Sequence, residues 1–256
     1  MKDFEFYKTI RLSSNKKKLL KAFSKLRNLY KTIPETNGCM ENIHAEFGDR
    51  GACKGWCCRI QTPQFLYSEF LLLWDYISKK WSDKEVCDLF ERCMLNAVNP
   101  VPSKGCVFFD EGKCTCMAHK VRPYNCRIYG ITPNEEFKPR YLSLKEEYKS
   151  IVGAVIKPQC NLVSTEDGSE VTTLETNNWW QDLHNIERSI GIPKDMVTDA
   201  MGGSYRTPHD HVLLYNMPEN ILNALSGIKK YDDEFDKKKM IKELVQVIRN
   251  VFTNKS

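Results

Sequence analysis

The stretch Cys106-Val-Phe-Phe-Asp-Glu-Gly-Lys-Cys-Thr-Cys116, continued by Met-Ala-His-Lys-Val-Arg-Pro-Tyr-Asn-Cys126, decides how this chain is read. It reads as a short hairpin in a sequence that is otherwise mostly helical in period. Asp110-Glu111-Gly112 suits a three-residue hairpin loop, a type I turn closed by glycine in the left-handed region. That register predicts Phe109 opposite Lys113, Phe108 opposite Cys114 and Cys106 opposite Cys116. Because side chains alternate faces along a strand, Cys106, Cys114 and Cys116 would then share one face.

Upstream, residues 53–58 read Cys-Lys-Gly-Trp-Cys-Cys. In an extended strand the neighbours Cys57 and Cys58 would point apart. A backbone turn, which Gly55 permits, would let both serve one centre. The thiols thus form two dense blocks: Cys53, Cys57 and Cys58, then Cys106, Cys114, Cys116 and Cys126. Thiolates are soft ligands suited to zinc, iron–sulfur clusters or Cu(I). Seven of them exceed the four that one tetrahedral zinc takes.

The rest of the composition sharpens that reading. The chain has 256 residues, 41% of them hydrophobic, so its core does not need disulfides. Its start lacks an apolar stretch of the kind that opens a secretory signal. The run Phe-Leu-Leu-Leu-Trp-Asp-Tyr-Ile (70–77) is too short to span a bilayer. A cytoplasmic, reducing setting is the expectation, and there eleven cysteines point to metal ligation or redox chemistry. No GxGxxG, phosphate-binding loop or HExxH motif occurs.

Here the sequence resembles a known family, the CxxCxxCC or YkgJ-like proteins, described as zinc- or iron-chelating. Cys57-Cys58 resemble its vicinal pair and Cys106 its next cysteine. Cys116, Arg122, Pro123, Cys126 and Arg127 fall in the register of its C-x-I-Y-x-x-R-P-x-x-C-R segment. The resemblance covers roughly residues 50–130. It departs at the start, where Gly51 and Lys54 stand in place of cysteines and Cys53 is one residue early. Cys39, Cys114 or Cys160 would be the compensating ligands. The resemblance implies an iron–sulfur cluster, a 4Fe–4S cluster first, with zinc as the alternative cofactor. Among relatives, the flagellin lysine-N-methylases suggest an S-adenosylmethionine-dependent methyltransferase as a further alternative, and no glycine-rich cofactor loop supports it here.

Around these blocks the expected fold class is α+β, mostly helical with a small hairpin-containing, cysteine-rich metal core. Residues 1–34 form a basic N-terminal helix, 35–160 a cysteine-cluster domain, and 161–256 a mainly helical region that packs separately or with the core. Ser13 or Ser14 would cap the first helix, with Leu19, Leu20, Phe23, Leu26, Leu29 and Tyr30 on one stripe and Pro34 as its stop. A second helix runs from about Ser68 to Trp81. Ser82 and Glu85 have capping-box spacing for a third, with Val86, Leu89, Phe90, Cys93 and Ala97 on its apolar face. Cys87 and Cys93 are expected to be packing residues. Ser143 and Glu146 repeat the capping pattern for a helix bearing Tyr148, Ile151, Val152 and Val155. Residues 161–174 read as a polar hairpin around Asp167-Gly168 or as a linker. Helices carrying Trp179, Trp180, Leu183 and Ile186, and then Met240, Ile241, Leu244, Val245, Ile248 and Phe252, complete the chain.

Arg122 and Arg127 flank Cys126 and would favour a thiolate centre of net negative charge, or else make structural salt bridges. His119 is expected to be a surface or supporting histidine rather than a ligand. His209-Asp210-His211 reads as a loop. The net charge of +5 is lopsided: residues 1–32 carry ten Lys and Arg against Asp3 and Glu5, leaving −3 for the remainder. A redox or acidic protein partner is the first expectation for that basic segment, nucleic acid the second, and a solvated helix face the plainest.

Overall fold

The computed structural model describes residues 16–36, 58, 62–98, 105–113, 115–147, 149–150, 163–192, 194–198, 200–217 and 219–253. The class is α+β, mostly helical with small two-stranded antiparallel sheets.

Helix α1 spans Lys16–Thr32. Phe23, Leu26, Leu29 and Tyr30 are buried and Leu19 is half-buried, but Leu20 is 55% exposed. Leu20 sits a further 100° round the helix from Leu19, which carries it out of the core arc. Ser13 and Ser14 lie outside the described residues.

Strand β1 (Phe65–Leu66) runs directly into helix α2 (Tyr67–Lys80). Tyr67 to Trp74 and Ile77 are buried, so the first two turns of α2 are enclosed on all sides. Each fully buried side chain such as Phe70 or Leu73 contributes about 1.5–3 kcal/mol of hydrophobic stabilisation. Those buried N–H groups at the helix start need acceptors, and Glu187 supplies them. Its carboxylate accepts from Tyr67 N–H at 3.1 Å, Ser68 N–H at 2.6 Å and Ser204 N–H at 3.1 Å. Helix α3 (Asp83–Ala97) opens on the expected box: Ser82 Oγ accepts from Glu85 N–H at 3.3 Å and Glu85 accepts from Ser82 N–H at 2.7 Å. Val86, Leu89, Phe90 and Cys93 point inward, and Cys87 is buried as well.

Strands β2 (Phe109–Asp110) and β3 (Thr115–Cys116) form the hairpin, and a short helix α4 (Tyr124–Arg127) follows. Helix α5 runs Asn134–Glu147. It begins after Pro133, whose carbonyl accepts from Glu136 and Phe137 N–H, and it passes straight through Ser143. The capping box expected at Ser143 is therefore absent, and Ile151, Val152 and Val155 lie outside the described residues. Gly130, just before α5, has φ +92°, and a Cβ there would fall 2.3 Å from Val163 Cβ, so this backbone position admits only glycine. Around Asp167-Gly168 the chain makes a turn, with Gly168 N–H donating to Thr165 O at 3.2 Å. Thr165 pairs with Thr36, not across that turn, so the segment is not a hairpin.

Helix α6 (Thr173–Ile190) is capped by Thr172 and Glu175 and ends at Gly191 in the left-handed region. Strand β4 (Tyr205–Arg206) pairs antiparallel with β1, Phe65 opposite Arg206. Helices α7 (Pro208–Asn216), α8 (Glu219–Ile228) and α9 (Glu234–Thr253) complete the chain. α1 packs on α6 and α2, α3 lies between α7 and α9, and α2 touches α6 and α7. One continuous hydrophobic cluster takes in Leu26, Phe70, Phe90, Leu183, Val212 and Ile241. No helix among the described residues is long and apolar enough to cross a membrane.

Candidate metal centre

The hairpin is real, but its register differs from the expected one. Phe109 lies opposite Cys116 and Asp110 opposite Thr115. The cause is Asp110. Its Oδ1 accepts from Gly112 N–H at 2.9 Å and Lys113 N–H at 3.0 Å, which wraps the loop around the carboxylate. Gly112 is not in the left-handed region, and a longer loop replaces the three-residue turn. Cys106 therefore does not face Cys116 across the ladder. It sits before β2 in a turn closed by Phe109 N–H to Cys106 O at 3.0 Å.

That displacement gives Cys106 another neighbour. Its N–H donates to Cys58 O at 2.6 Å, so the end of the first cysteine block lies against the start of the second. Helix α3 holds the segment in place: Asn96 Nδ2 donates to Gly105 O at 3.1 Å, and Arg92 Nε to Val107 O at 2.9 Å.

Cys126 is carried by α4. The two sides of that short helix are fixed differently. Tyr124 N–H donates at 2.6 Å to Glu69, which is 2% exposed. Glu69 also accepts from Tyr30 O–H at 2.7 Å and Leu66 N–H at 3.0 Å, so one buried carboxylate ties α1, the start of α2 and α4 together. Burial pushes the Glu69 carboxyl above its ordinary range, against the pull of these donors and of Arg127. On the other side Asn125 Nδ2 donates to Gln64 O at 2.6 Å and bonds the Tyr205 hydroxyl.

The two arginines differ. Arg127 is buried, with its guanidinium 4.3 Å from the Tyr30 ring centroid, and Nε donates to Arg122 O at 3.0 Å. Its Nη1 lies 3.8 Å from Glu35. Arg122 donates to Glu35 at 3.2 Å and to His119 Nε2 at 3.3 Å. Burial, then Arg122 and Arg127, holds His119 below the usual imidazole range. The salt bridges to Glu35 are thus present, and Arg122 also acts on the Cys116 thiol. Burial pushes the Cys116 thiol up, while Ala118 N–H and Arg122 pull it down. Tyr30 in turn is raised by burial first, then by Glu69, with Cys126 adding to the effect.

Among the described residues no group of three or more His, Cys, Asp or Glu side chains is placed to hold a metal ion. Cys58, Cys106, Cys116 and Cys126 are all partly buried. Cys53, Cys57, Cys114, Cys39, Cys160 and Trp56 lie outside the described residues. The donor types are those a thiolate-held group would use: four partly buried sulfur atoms, one of them, on Cys116, under the influence of Ala118 N–H and the Arg122 guanidinium.

The remaining expectations resolve simply. Cys87 and Cys93 are 3% and 0% exposed on α3, and burial raises both thiols. Trp179 is buried in α6. His209-Asp210-His211 is helical rather than a loop, because Thr207 caps α7 and Pro208 opens it. Residues two apart on a helix point away from each other, so the two imidazoles form no joint site. His211 is buried among Phe65, Phe70 and Tyr215, its Nε2–H donates to Phe65 O at 2.8 Å, and burial pushes its pKa down to about 3.

Glu69, Glu187 and Tyr30 were not legible as structural anchors. The available signal was Glu69 itself, a lone acid in the apolar run Tyr67–Trp74. No protein-family model, curated protein or solved structure matches this chain.

Proposed function

We propose that the chain binds an iron–sulfur cluster, of the 4Fe–4S type, through cysteines of segments 53–58 and 106–126. The observation that carries this reading is the hydrogen bond from Cys106 N–H to Cys58 O, which joins two halves of a cysteine pattern separated by helices α2 and α3. Cys58, Cys106, Cys116 and Cys126 are the described ligand candidates, and Cys53, Cys57 and Cys114 complete the set. Such a cluster supplies one-electron redox chemistry, and the role of the chain is accordingly in redox, cluster assembly or catalysis. Arg122 pulls the Cys116 thiol down against the burial that raises it, and beside a bound cluster of net negative charge Arg122 and Arg127 would favour the ionised thiols. Glu69 ties α4, which carries Cys126, to α1 and α2.

Anaerobic purification followed by a visible spectrum and assays of iron, acid-labile sulfide and zinc tests the reading. A brown protein with matched iron and sulfide is expected. A colourless protein with stoichiometric zinc would replace the cluster by a structural zinc site.

A further inference from the structure

Helix α1 has a solvent face dominated by cations. Lys17, Lys18, Lys21, Lys25, Arg27 and Lys31 are all exposed, and the helix contains no acidic residue. Its other exposed side chains include Leu20, Ser24 and Asn28. At 3.6 residues per turn these cations occupy the whole arc opposite Phe23, Leu26 and Tyr30 and run along about 20 Å of helix. Among the described residues no carboxylate pairs with Lys17, Lys21, Lys25 or Lys31. The neighbouring acid Glu35 is turned toward Arg122 and Arg127.

We infer that this face of α1 binds the phosphate backbone of duplex nucleic acid, without sequence preference and independently of any metal. Three observations select that partner. A membrane-binding basic helix needs its apolar side free for the lipid, but the apolar side of α1 is packed against α6 and α2. A protein partner is anchored by aromatic and apolar side chains at the interface centre, and this face offers only Leu20. Duplex phosphates need neither: a row of flexible point charges matches one negative charge per about 1.7 Å of duplex axis. Five of the six exposed cations are lysines, point charges that supply positioning contacts rather than base readout.

The test is fluorescence anisotropy of a labelled duplex of about 20 base pairs, titrated with the full chain from about 50 mM salt upward. With four to six phosphates neutralised, the log–log salt slope is expected near −4 to −5, at about −0.9 per contact. Lys17→Gln/Lys21→Gln/Lys25→Gln is expected to flatten that slope by about 2.5 and weaken binding roughly 100-fold near 0.1 M salt. These side chains are exposed, so the far-UV circular dichroism spectrum stays the same. The charge-matched control Lys229→Gln/Lys230→Gln/Lys242→Gln, also exposed, is expected to bind within about threefold of the parent. No duplex binding at low salt overturns the inference. So does an equal loss in both triple variants, which would mean diffuse net charge. Binding to vesicles containing phosphatidylserine without binding to duplex overturns it as well. None of these readouts depends on metal content, so failure here and failure of the cluster reading are separable.

Discussion

Replacing Glu69 by alanine is expected to cost more stability than any other single change near the cysteine segments. The side chain is 2% exposed and accepts three hydrogen bonds, from Tyr30 O–H, Leu66 N–H and Tyr124 N–H. Alanine leaves three buried donors without an acceptor, and each such loss costs about 1–3 kcal/mol. Water entering the vacated space recovers part of that, which puts the expected loss at about 4 kcal/mol. That is a large share of the roughly 5–15 kcal/mol by which a domain is stable. Glu69→Gln keeps an accepting oxygen but turns an NH2 group toward a donor, for a loss of about 2 kcal/mol. Tyr30→Phe removes one bond without stranding a backbone group and costs about 1 kcal/mol. Urea titration followed by far-UV circular dichroism reads all three, and the Glu69–Tyr30 double-mutant cycle isolates a coupling of about 1 kcal/mol. A Glu69→Ala variant within about 1 kcal/mol of the parent, at unchanged m, would refute the idea that this carboxylate anchors α4.

Other substitutions separate the roles of the remaining residues. Burial raises both Glu69 and Glu187, so their contribution to stability is full below the unfolded carboxyl value of about 4.3 and is lost as pH rises through the folded value. The stability advantage of the parent over Glu187→Gln should therefore shrink as pH rises from about 4 in urea titrations. Gly130→Ala is expected to lower stability by about 2–3 kcal/mol, because its φ of +92° and the contact with Val163 must both be relieved; calorimetry showing no loss would contradict the close approach. Cys93→Ala should cost about 1–2 kcal/mol and leave metal content unchanged, whereas Cys126→Ser should lower metal content with a smaller effect on the apo chain.

What the sequence revealed and what it hid have physical reasons. The Ser82–Glu85 and Thr172–Glu175 caps are local interactions, and local interactions can be read from spacing, as Ser82 was. Helix α5 was hidden because Pro139 lies inside it and no apolar stripe marks it. The hairpin was visible from its turn signal, but its register turned on two hydrogen bonds accepted by Asp110 that compete with the glycine turn. Those two bonds moved Cys106 away from Cys116 and next to Cys58. The roles of Glu69 and Glu187 left no local signal, because their partners lie 55 and 120 residues away, at Tyr124 and Tyr67. His211 read as a loop residue, yet it lies in an aromatic core on α7, where burial above all holds its pKa down.

The central claim is that cysteines of the two blocks share one thiolate-held iron centre. X-ray absorption at the iron edge of the anaerobically purified chain tests it most directly, compared with Cys126→Ser. The account expects a sulfur-only first shell with iron–iron scattering behind it, and loss of that signal in the variant. An oxygen and nitrogen shell without iron–iron scattering, or a spectrum unchanged by Cys126→Ser, would contradict it.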